Sequence, residues 1–138
     1  MPELATTPHA FGYLIDPFFT QIFVLDIDSA TFTIVNDICN QFLISNVYGI
    51  DIYETSSSTW LNNYHIYIAT KQPYNVMNIY ELKTLNICSN FKKYIINSQD
   101  IIIRSSKKFN YPNNKSIDPK LIKSIRQNDN YKFDHIKY

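Results

Sequence analysis

The stretch of sequence that decides the fold is residues 11–27, FGYLIDPFFTQIFVLDI. It holds two runs rich in aromatic and β-branched residues, 11–15 and 20–27, and such residues favour β-strands. Between them Asp16-Pro17 is a typical turn pair, because proline presets φ and an aspartate side chain accepts hydrogen bonds from the backbone ahead of it. This pattern predicts a β-hairpin. The second strand is apolar on both faces at residues 22–25, so we expect it to be central in a sheet.

An amphipathic helix is expected after this hairpin, at about residues 31–43. Apolar residues recur there at three- and four-residue steps, as on one face of a helix; they are Phe32, Val35, Cys39 and Phe42. Asp28 or Ser29 could cap the N-terminus of the helix. Phe23 and Leu25 are spaced to meet this helix in one core. On this interpretation, replacing Phe32 with Ala should cost roughly 3–5 kcal/mol.

Two further strands are predicted where apolar and polar residues alternate, at 47–53 and 64–70. The polar segment 56–63 between them is typical of a hairpin loop. Residues 75–99 permit a helix without specifying one, since their many Asn residues disfavour it. The three isoleucines at 101–103 favour a short buried strand.

The predicted fold class is α+β, with a β-β-α-β-β core that is mostly antiparallel sheet with one packed helix. We expect a single domain at residues 11–103, preceded by a short flexible lead-in. A basic C-terminal extension at 104–138 should follow it. Within this tail, Asp118 as N-cap and Pro119 at the first helical position predict a short helix.

Charge is segregated along the chain. The first 70 residues contain seven acidic residues and no Lys or Arg, which is a net charge of −7. The remaining residues carry all thirteen basic residues and five acidic ones, which is a net charge of +8. Two opposed fields predict neutralisation inside the molecule, head-to-tail self-association, or a basic arm that meets an external anion.

Composition argues against several classes of protein. Two glycines are too few for loops that bind phosphate through bare backbone. The N-terminus lacks a basic segment followed by an apolar run, so we expect no secretory signal. No apolar stretch approaches the roughly 20 residues that a membrane-spanning helix needs. A soluble protein that neither enters a membrane nor is secreted is expected.

No catalytic residue, metal site or cofactor is predicted. Cys39, His65 and Asp51 are residue types that could form a nucleophile, base and carboxylate set. Cys39, however, falls on the apolar stripe of the predicted helix, whereas His65 and Asp51 should lie on the solvent face of neighbouring strands. The cysteines and histidines lack the spacing of metal ligands. We expect Cys39 and Cys88 to be free thiols that pack in the interior.

The favoured function is that of a non-enzymatic interaction protein, which binds a protein partner or a second copy of itself. Its contact surface should be either the acidic first half of the chain or exposed aromatic residues of the second hairpin. Tyr and Trp are frequent at the centres of interfaces. The predicted contact residues are Tyr53, Trp60, Tyr64 and Tyr67.

Nucleic-acid binding is the alternative function, because basic residues interleaved with aromatic ones suit contacts with phosphates and unpaired bases. The candidate residues are Lys107, Lys108, Lys115, Lys120, Lys123, Arg126 and Lys132. We expect these charges to neutralise the acidic half instead, since its seven acidic residues compete for them. A third hypothesis is an enzyme whose polar residues only the fold brings together.

Residues 12–17, GYLIDP, followed by a second strand, a short helix and two strands, resemble a small domain-of-unknown-function family of bacteriophages and large DNA viruses. The resemblance covers residues 11–70 and depends on Ile15-Asp16-Pro17 and on the order of elements. Family members tend to carry an acidic Asp-Asp-Glu-Gly turn after the last strand, where this chain has IATKQ at 68–72. The resemblance implies a viral accessory protein of α+β fold in the host cytoplasm or the virion. It implies no reaction.

Overall fold

The computed structural model describes residues 3–7, 10–42, 46–57, 60–80, 87–98, 100–104, 116–127 and 130–133. Three strands form a small sheet; they are β1 (Glu3–Thr7), β2 (Ala10–Leu14) and β6 (Asp100–Arg104). Four strands form the main sheet; they are β3 (Thr20–Ala30), β4 (Val47–Ser56), β5 (Asn62–Tyr74) and β7 (Ser116–Arg126). The helices are α1 (Phe32–Phe42), α2 (Met77–Tyr80) and α3 (Ser89–Ser98).

Both sheets are antiparallel throughout their described pairs. The small sheet has strand order β1-β2-β6, and the main sheet has strand order β3-β5-β4-β7. The predicted α+β fold class is therefore confirmed.

Strands β4 and β5 form the hairpin that the alternation predicts. Ile50 lies opposite Ile68, and Ile52 lies opposite Ile66. All four side chains are fully buried. β5 is buried on both faces along residues 64–70, because it lies between β3 and β4 and both faces of the main sheet are covered. This strand is the centre of the core.

Helix α1 confirms the predicted helix but not its predicted core contact. Thr31 caps it, since its hydroxyl oxygen accepts a hydrogen bond from the Ile34 N–H at 3.4 Å. The buried stripe consists of Val35, Ile38 and Cys39. Phe32 is 42% exposed, so its assignment to the core is wrong. Phe32 lies in the first turn of the helix, just beyond the end of β3. Helical periodicity shows which face of a helix is apolar, but it does not show how far along the helix that face is covered by the sheet. The side chain of Phe42 lies outside the described residues.

Residues 11–15 and 20–27 do not form the predicted hairpin. β2 pairs with β1 and β6, whereas β3 pairs with β5. The turn itself is present at Asp16-Pro17, where the Phe19 N–H donates to the Asp16 carbonyl at 3.0 Å. It takes the chain from the small sheet into the main sheet instead of reversing it onto its neighbour. The predicted flexible lead-in is also wrong, because it contains β1.

Strand β3 is buried on both faces at residues 22–25, as predicted, but it is an outer strand of the main sheet rather than a central one. The chain before α3 covers part of its outer edge. Ile87 forms a bridge with Ile27, and the Cys88 N–H donates to the Asp26 carbonyl at 2.8 Å. Burial of both faces therefore does not require two neighbouring strands.

The predicted helix after Asp118 is wrong, because this segment forms β7 and pairs with β4. An Asp-Pro pair fits the first turn of a helix, but an edge strand also accepts proline. Pro119 lies where the register of the β4–β7 ladder is irregular. Tertiary pairing thus overrides the local helix signal, and part of the predicted C-terminal extension lies in the main sheet.

The ambiguous segment 75–99 contains α2 and α3. Phe91 and Ile95 of α3 belong to the buried core. The strand predicted at 101–103 is confirmed as part of β6, with Ile103 buried.

Candidate functional site

Polar and aromatic side chains meet on one face of the main sheet, which we call the Arg126 face. Its members are Asp26, Asp51, Tyr53, His65, Tyr67, Ser124 and Arg126. Arg126 Nη1 lies 2.7 Å from Asp51 Oδ1, and the Ser124 hydroxyl donates to the same oxygen at 2.9 Å. The Asp51 side chain is fully buried and that of Arg126 is 16% exposed. This charge-assisted contact joins the edge strand β7 to β4.

The residues after β7 cover the Arg126 guanidinium. Its Nε donates to the Tyr131 carbonyl at 3.1 Å, and its central carbon lies 5.3 Å from the centre of the Phe133 ring. The second distance is typical of a cation–π contact. Tyr131 stacks on Tyr48, and Phe133 meets Tyr67 edge to face. Arg126 therefore connects the buried Asp51 carboxylate of β4 to the aromatic residues Tyr131 and Phe133.

Gly49 lets Arg126 approach the backbone of β4. A Cβ atom at this position would lie 2.9 Å from Arg126 Nη1 and 3.2 Å from Tyr131 Cδ1. The first distance is shorter than real Cβ contacts allow, so one of the groups would have to move. The sequence shows this glycine but not the guanidinium beside it.

We expect Gly49→Ala to lower the free energy of unfolding by about 1–3 kcal/mol, because the added methyl group pushes Arg126 away from Asp51. Urea unfolding measures this loss. In an Arg126→Ala background, the same substitution should cost clearly less. An equal loss in both backgrounds would show that the close approach of Arg126 is not the reason for glycine at this position.

A second polar pair lies on the Arg126 face. His65 Nε2 is 3.6 Å from Asp26 Oδ1, and the two residues are opposite each other on β5 and β3. Their side chains are 5% and 21% exposed. His65 and Asp51 thus share a face as predicted, but that face is buried, not solvent-facing.

Cys39 lies on the other side of the main sheet. Lys123 neighbours Ser124 along β7 and so points to the opposite face. There the Lys123 ammonium donates to Asn36 Oδ1 of α1 at 2.5 Å. Helix α1 and its buried Cys39 therefore pack away from Asp51. The candidate nucleophile, base and carboxylate are not brought together.

Neither thiol is activated. Burial raises the pKa of the Cys39 thiol from 9.0 to about 12, and Lys123 offsets this only in part. Burial also raises the pKa of the Cys88 thiol, while a hydrogen bond from the backbone of Phe91 lowers it and the nearby Asp26 carboxylate raises it further. Both cysteines are free.

Alkaline pH should destabilise the protein through Cys39. The unfolded thiol loses its proton above pH 9.0, whereas the folded thiol keeps it up to about pH 12, so stability falls as the pH rises between these values. The expected loss is up to about 1.4 kcal/mol per pH unit. Urea unfolding across this range should show a shallower pH dependence in Cys39→Ala than in the wild type. Val35→Ala, which shortens a buried side chain on the same stripe of α1 without removing a thiol, serves as the control. Identical slopes in the wild type and Cys39→Ala would contradict this assignment.

The four predicted contact residues have different environments. Tyr64 and Tyr67 are buried, so the prediction that they are exposed is wrong. Both lie on β5, whose two faces are covered. Tyr53 is half-buried, and its ring meets the Tyr67 ring edge to face, with 5.5 Å between the ring centres. Trp60 is 75% exposed at the tip of the β4–β5 hairpin.

The candidate nucleic-acid-binding residues are also divided. Lys107, Lys108 and Lys115 lie outside the described residues. Lys120 and Lys132 are exposed. Lys123 and Arg126 are half-buried and contact Asn36 and Asp51. Two of the four described candidates are therefore engaged inside the molecule.

Sequence reasoning missed a cluster of exposed apolar side chains at the Asp16-Pro17 turn. Leu14, Phe18 and Phe19 are 47%, 58% and 70% exposed. The available signal was the Phe-Phe pair itself, since turn positions usually carry polar or small residues.

Within the described ranges, no three His, Cys, Asp or Glu side chains come close enough together to hold a metal ion. No described helix combines the length and apolar character needed to cross a membrane. Comparison of the chain with protein-family models, curated proteins and solved structures found no match.

Proposed function

We propose that this chain is a non-enzymatic interaction protein, and that it is a viral accessory protein, as the resemblance of residues 11–70 implies. The observation that carries the proposal is the exposure of Trp60 at the tip of the β4–β5 hairpin. Exposure of a tryptophan side chain to water is energetically unfavourable, and tryptophan is enriched among the residues that contribute most to binding at protein interfaces.

Further apolar side chains lie at the same end of the main sheet, which we call the Trp60 end. Asn62, which starts β5, pairs with Ala30, which ends β3. Trp60 and Leu61 directly precede β5, and Phe32 lies two residues after the end of β3, in the first turn of α1. Leu61 and Phe32 are each 42% exposed. The register of the sheet therefore brings three exposed apolar residues to the Trp60 end.

Acidic residues frame the Trp60 end. Asp28 lies near the end of β3, Glu54 near the end of β4 and Asp118 near the start of β7. Lys120 lies opposite Glu54 on β7 and is a basic residue at the Trp60 end. The Trp60 end is therefore apolar with an acidic rim, and a partner protein with apolar and basic residues would complement it.

A photo-reactive phenylalanine analogue at position 60 tests this proposal, with the same analogue at the exposed Lys93 of α3 as the control. We expect position 60 to crosslink a protein in extracts of the native host and position 93 not to. Glu54→Gln and Asp118→Asn should reduce the yield, because they remove the acidic rim. Equal yields at both positions, or a product that nuclease removes, would contradict the proposal. A product of twice the chain mass from the purified protein would identify a second copy as the partner.

Nucleic-acid binding is tested separately with full-length variants. Removing residues 104–138 would delete β7 and the Arg126 partner of Asp51, so a truncated chain would report on stability instead of binding. Lys120→Gln combined with Lys132→Gln removes two exposed charges and leaves the ion pair intact. We expect weak binding of single-stranded DNA or RNA even at low salt. Tight binding that weakens steeply with salt and is lost in this double variant would favour the nucleic-acid alternative.

A further inference from the structure

A depression lies beside the Asp16-Pro17 turn. It measures about 190 Å³. Its apolar walls are formed by Leu14, Ile15, Phe19 and Pro73, and its polar part by Asp16, Thr20 and Gln21. Among these residues Asp16 is the charged one.

The turn holds Asp16 and the Phe18-Phe19 pair in fixed positions. The Phe18 N–H donates to Asp16 Oδ1 at 2.9 Å, and the Phe19 N–H donates to the Asp16 carbonyl at 3.0 Å. The Pro17 carbonyl accepts a hydrogen bond from the Val76 N–H at 2.9 Å, which fastens the turn to the chain after β5. The Asp16 carboxylate and the backbone that carries Phe18 and Phe19 are therefore held in place before any ligand arrives, which lowers the entropic cost of binding.

We propose that this depression binds an arginine side chain of a partner protein. The site does not depend on the Trp60 end, from which it is separated by the length of β3. The Asp16 carboxylate offers an acceptor for the guanidinium N–H groups, and the Phe19 ring offers a face for the planar cation. Leu14 and Pro73 line the path of the aliphatic stem.

Arginine fits this site better than the other candidate occupants. A neutral apolar side chain would leave the Asp16 carboxylate partly desolvated without a counter-charge. A lysine ammonium is more strongly hydrated than a guanidinium and does not stack on a ring as a planar group. An acidic ligand would be repelled by Asp16.

Titration of the full-length protein with short peptides tests the proposal, with the backbone amide signals of Phe18 and Phe19 followed by NMR. The probes are acetyl-Gly-Arg-Leu-Gly-amide and the same peptide with citrulline or lysine in place of arginine. We expect saturable shifts with the arginine peptide and a dissociation constant in the millimolar range. The citrulline peptide, which lacks the charge, should bind at least about tenfold more weakly, a difference of about 1.4 kcal/mol.

Asp16→Asn is the decisive variant, because an Asn side-chain oxygen accepts the same hydrogen bond from Phe18 and keeps the turn. It should lower the affinity for the arginine peptide to that for the citrulline peptide. Phe19→Leu should weaken binding of arginine more than binding of citrulline. Asp37→Asn, which removes an exposed carboxylate of α1, should change neither. Equal binding of the arginine and citrulline peptides, or unchanged binding in Asp16→Asn, would overturn the proposal.

Discussion

Replacing Arg126 with Ala should lower the free energy of unfolding by roughly 3–5 kcal/mol, because it leaves the Asp51 carboxylate buried without its counter-charge. The same change removes the hydrogen bond to the Tyr131 carbonyl and the contact with the Phe133 ring. Urea unfolding followed by circular dichroism measures the loss. Lys132→Ala, a basic residue that is exposed six positions later, should cost less than about 0.5 kcal/mol.

The double variant separates the ion pair from the packing around it. Asp51→Asn combined with Arg126→Ala should cost less than the sum of the two single changes, because the second change removes a charge that the first has left unpaired. Strict additivity would mean that the 2.7 Å contact between the two side chains does not couple them energetically. That result would contradict the interpretation of the Arg126 face as a joint between β7 and β4.

Two identical substitutions should have very different effects at Phe23 and Phe32. Phe23 of β3 is fully buried and stacks on Tyr74, so Phe23→Ala should cost roughly 3–5 kcal/mol. Phe32 is 42% exposed at the start of α1, so Phe32→Ala should cost under about 1 kcal/mol. Sequence periodicity alone predicts the larger loss at Phe32.

Chemical denaturation of both variants decides between these expectations. A small effect at Phe23 would show that the interior of the main sheet tolerates a large cavity there. A large effect at Phe32 would mean that the first turn of α1 packs against the sheet in solution. The two outcomes are independent, since the residues belong to different elements.

The elements that could be predicted from sequence depend on short-range patterns. The alternation of Ile50 and Ile52 and of Ile66 and Ile68 marks both strands of the β4–β5 hairpin, and their loop joins them directly. Helix α1 follows from the same reasoning with a three- to four-residue period. In the hairpin the four residues that make the pattern are all buried, whereas in α1 Val35 and Cys39 are buried and Phe32 is not.

The misassigned elements depend on partners that are distant in sequence. β2 pairs with β6, about ninety residues further along the chain, and no local signal at the Asp16-Pro17 turn indicates this. Asp118-Pro119 satisfies the rules for a helix start, yet β7 has a free sheet edge to pair with in β4. Local propensity is worth a few tenths of a kcal/mol per residue, and a ladder of strand pairs outweighs it.

The Arg126 face was only partly accessible to sequence reasoning. His65 and Asp51 could be placed on one face by alternation, since β4 and β5 form a hairpin. The partner of Asp51 cannot be identified from the sequence, because Arg126 lies in the basic C-terminal extension, which the sequence separates from the predicted domain. The role of Gly49 depends on the contact between Arg126 and Asp51, so it cannot be predicted from the sequence either.

The joining of β7 to β4 also has a consequence for the order of folding during synthesis. Ser124 and Asp51, which share a hydrogen bond, are 73 residues apart. The ribosome therefore releases β4 and β5 well before the strand that pairs with the other edge of β4. Until then the Asp51 carboxylate lacks its counter-charge and the backbone groups along that edge lack their β7 partners, which makes a nascent chain prone to aggregation. Contacts of such long range also slow folding, so closure of the main sheet by β7 should be a late step that commits the chain to its native state.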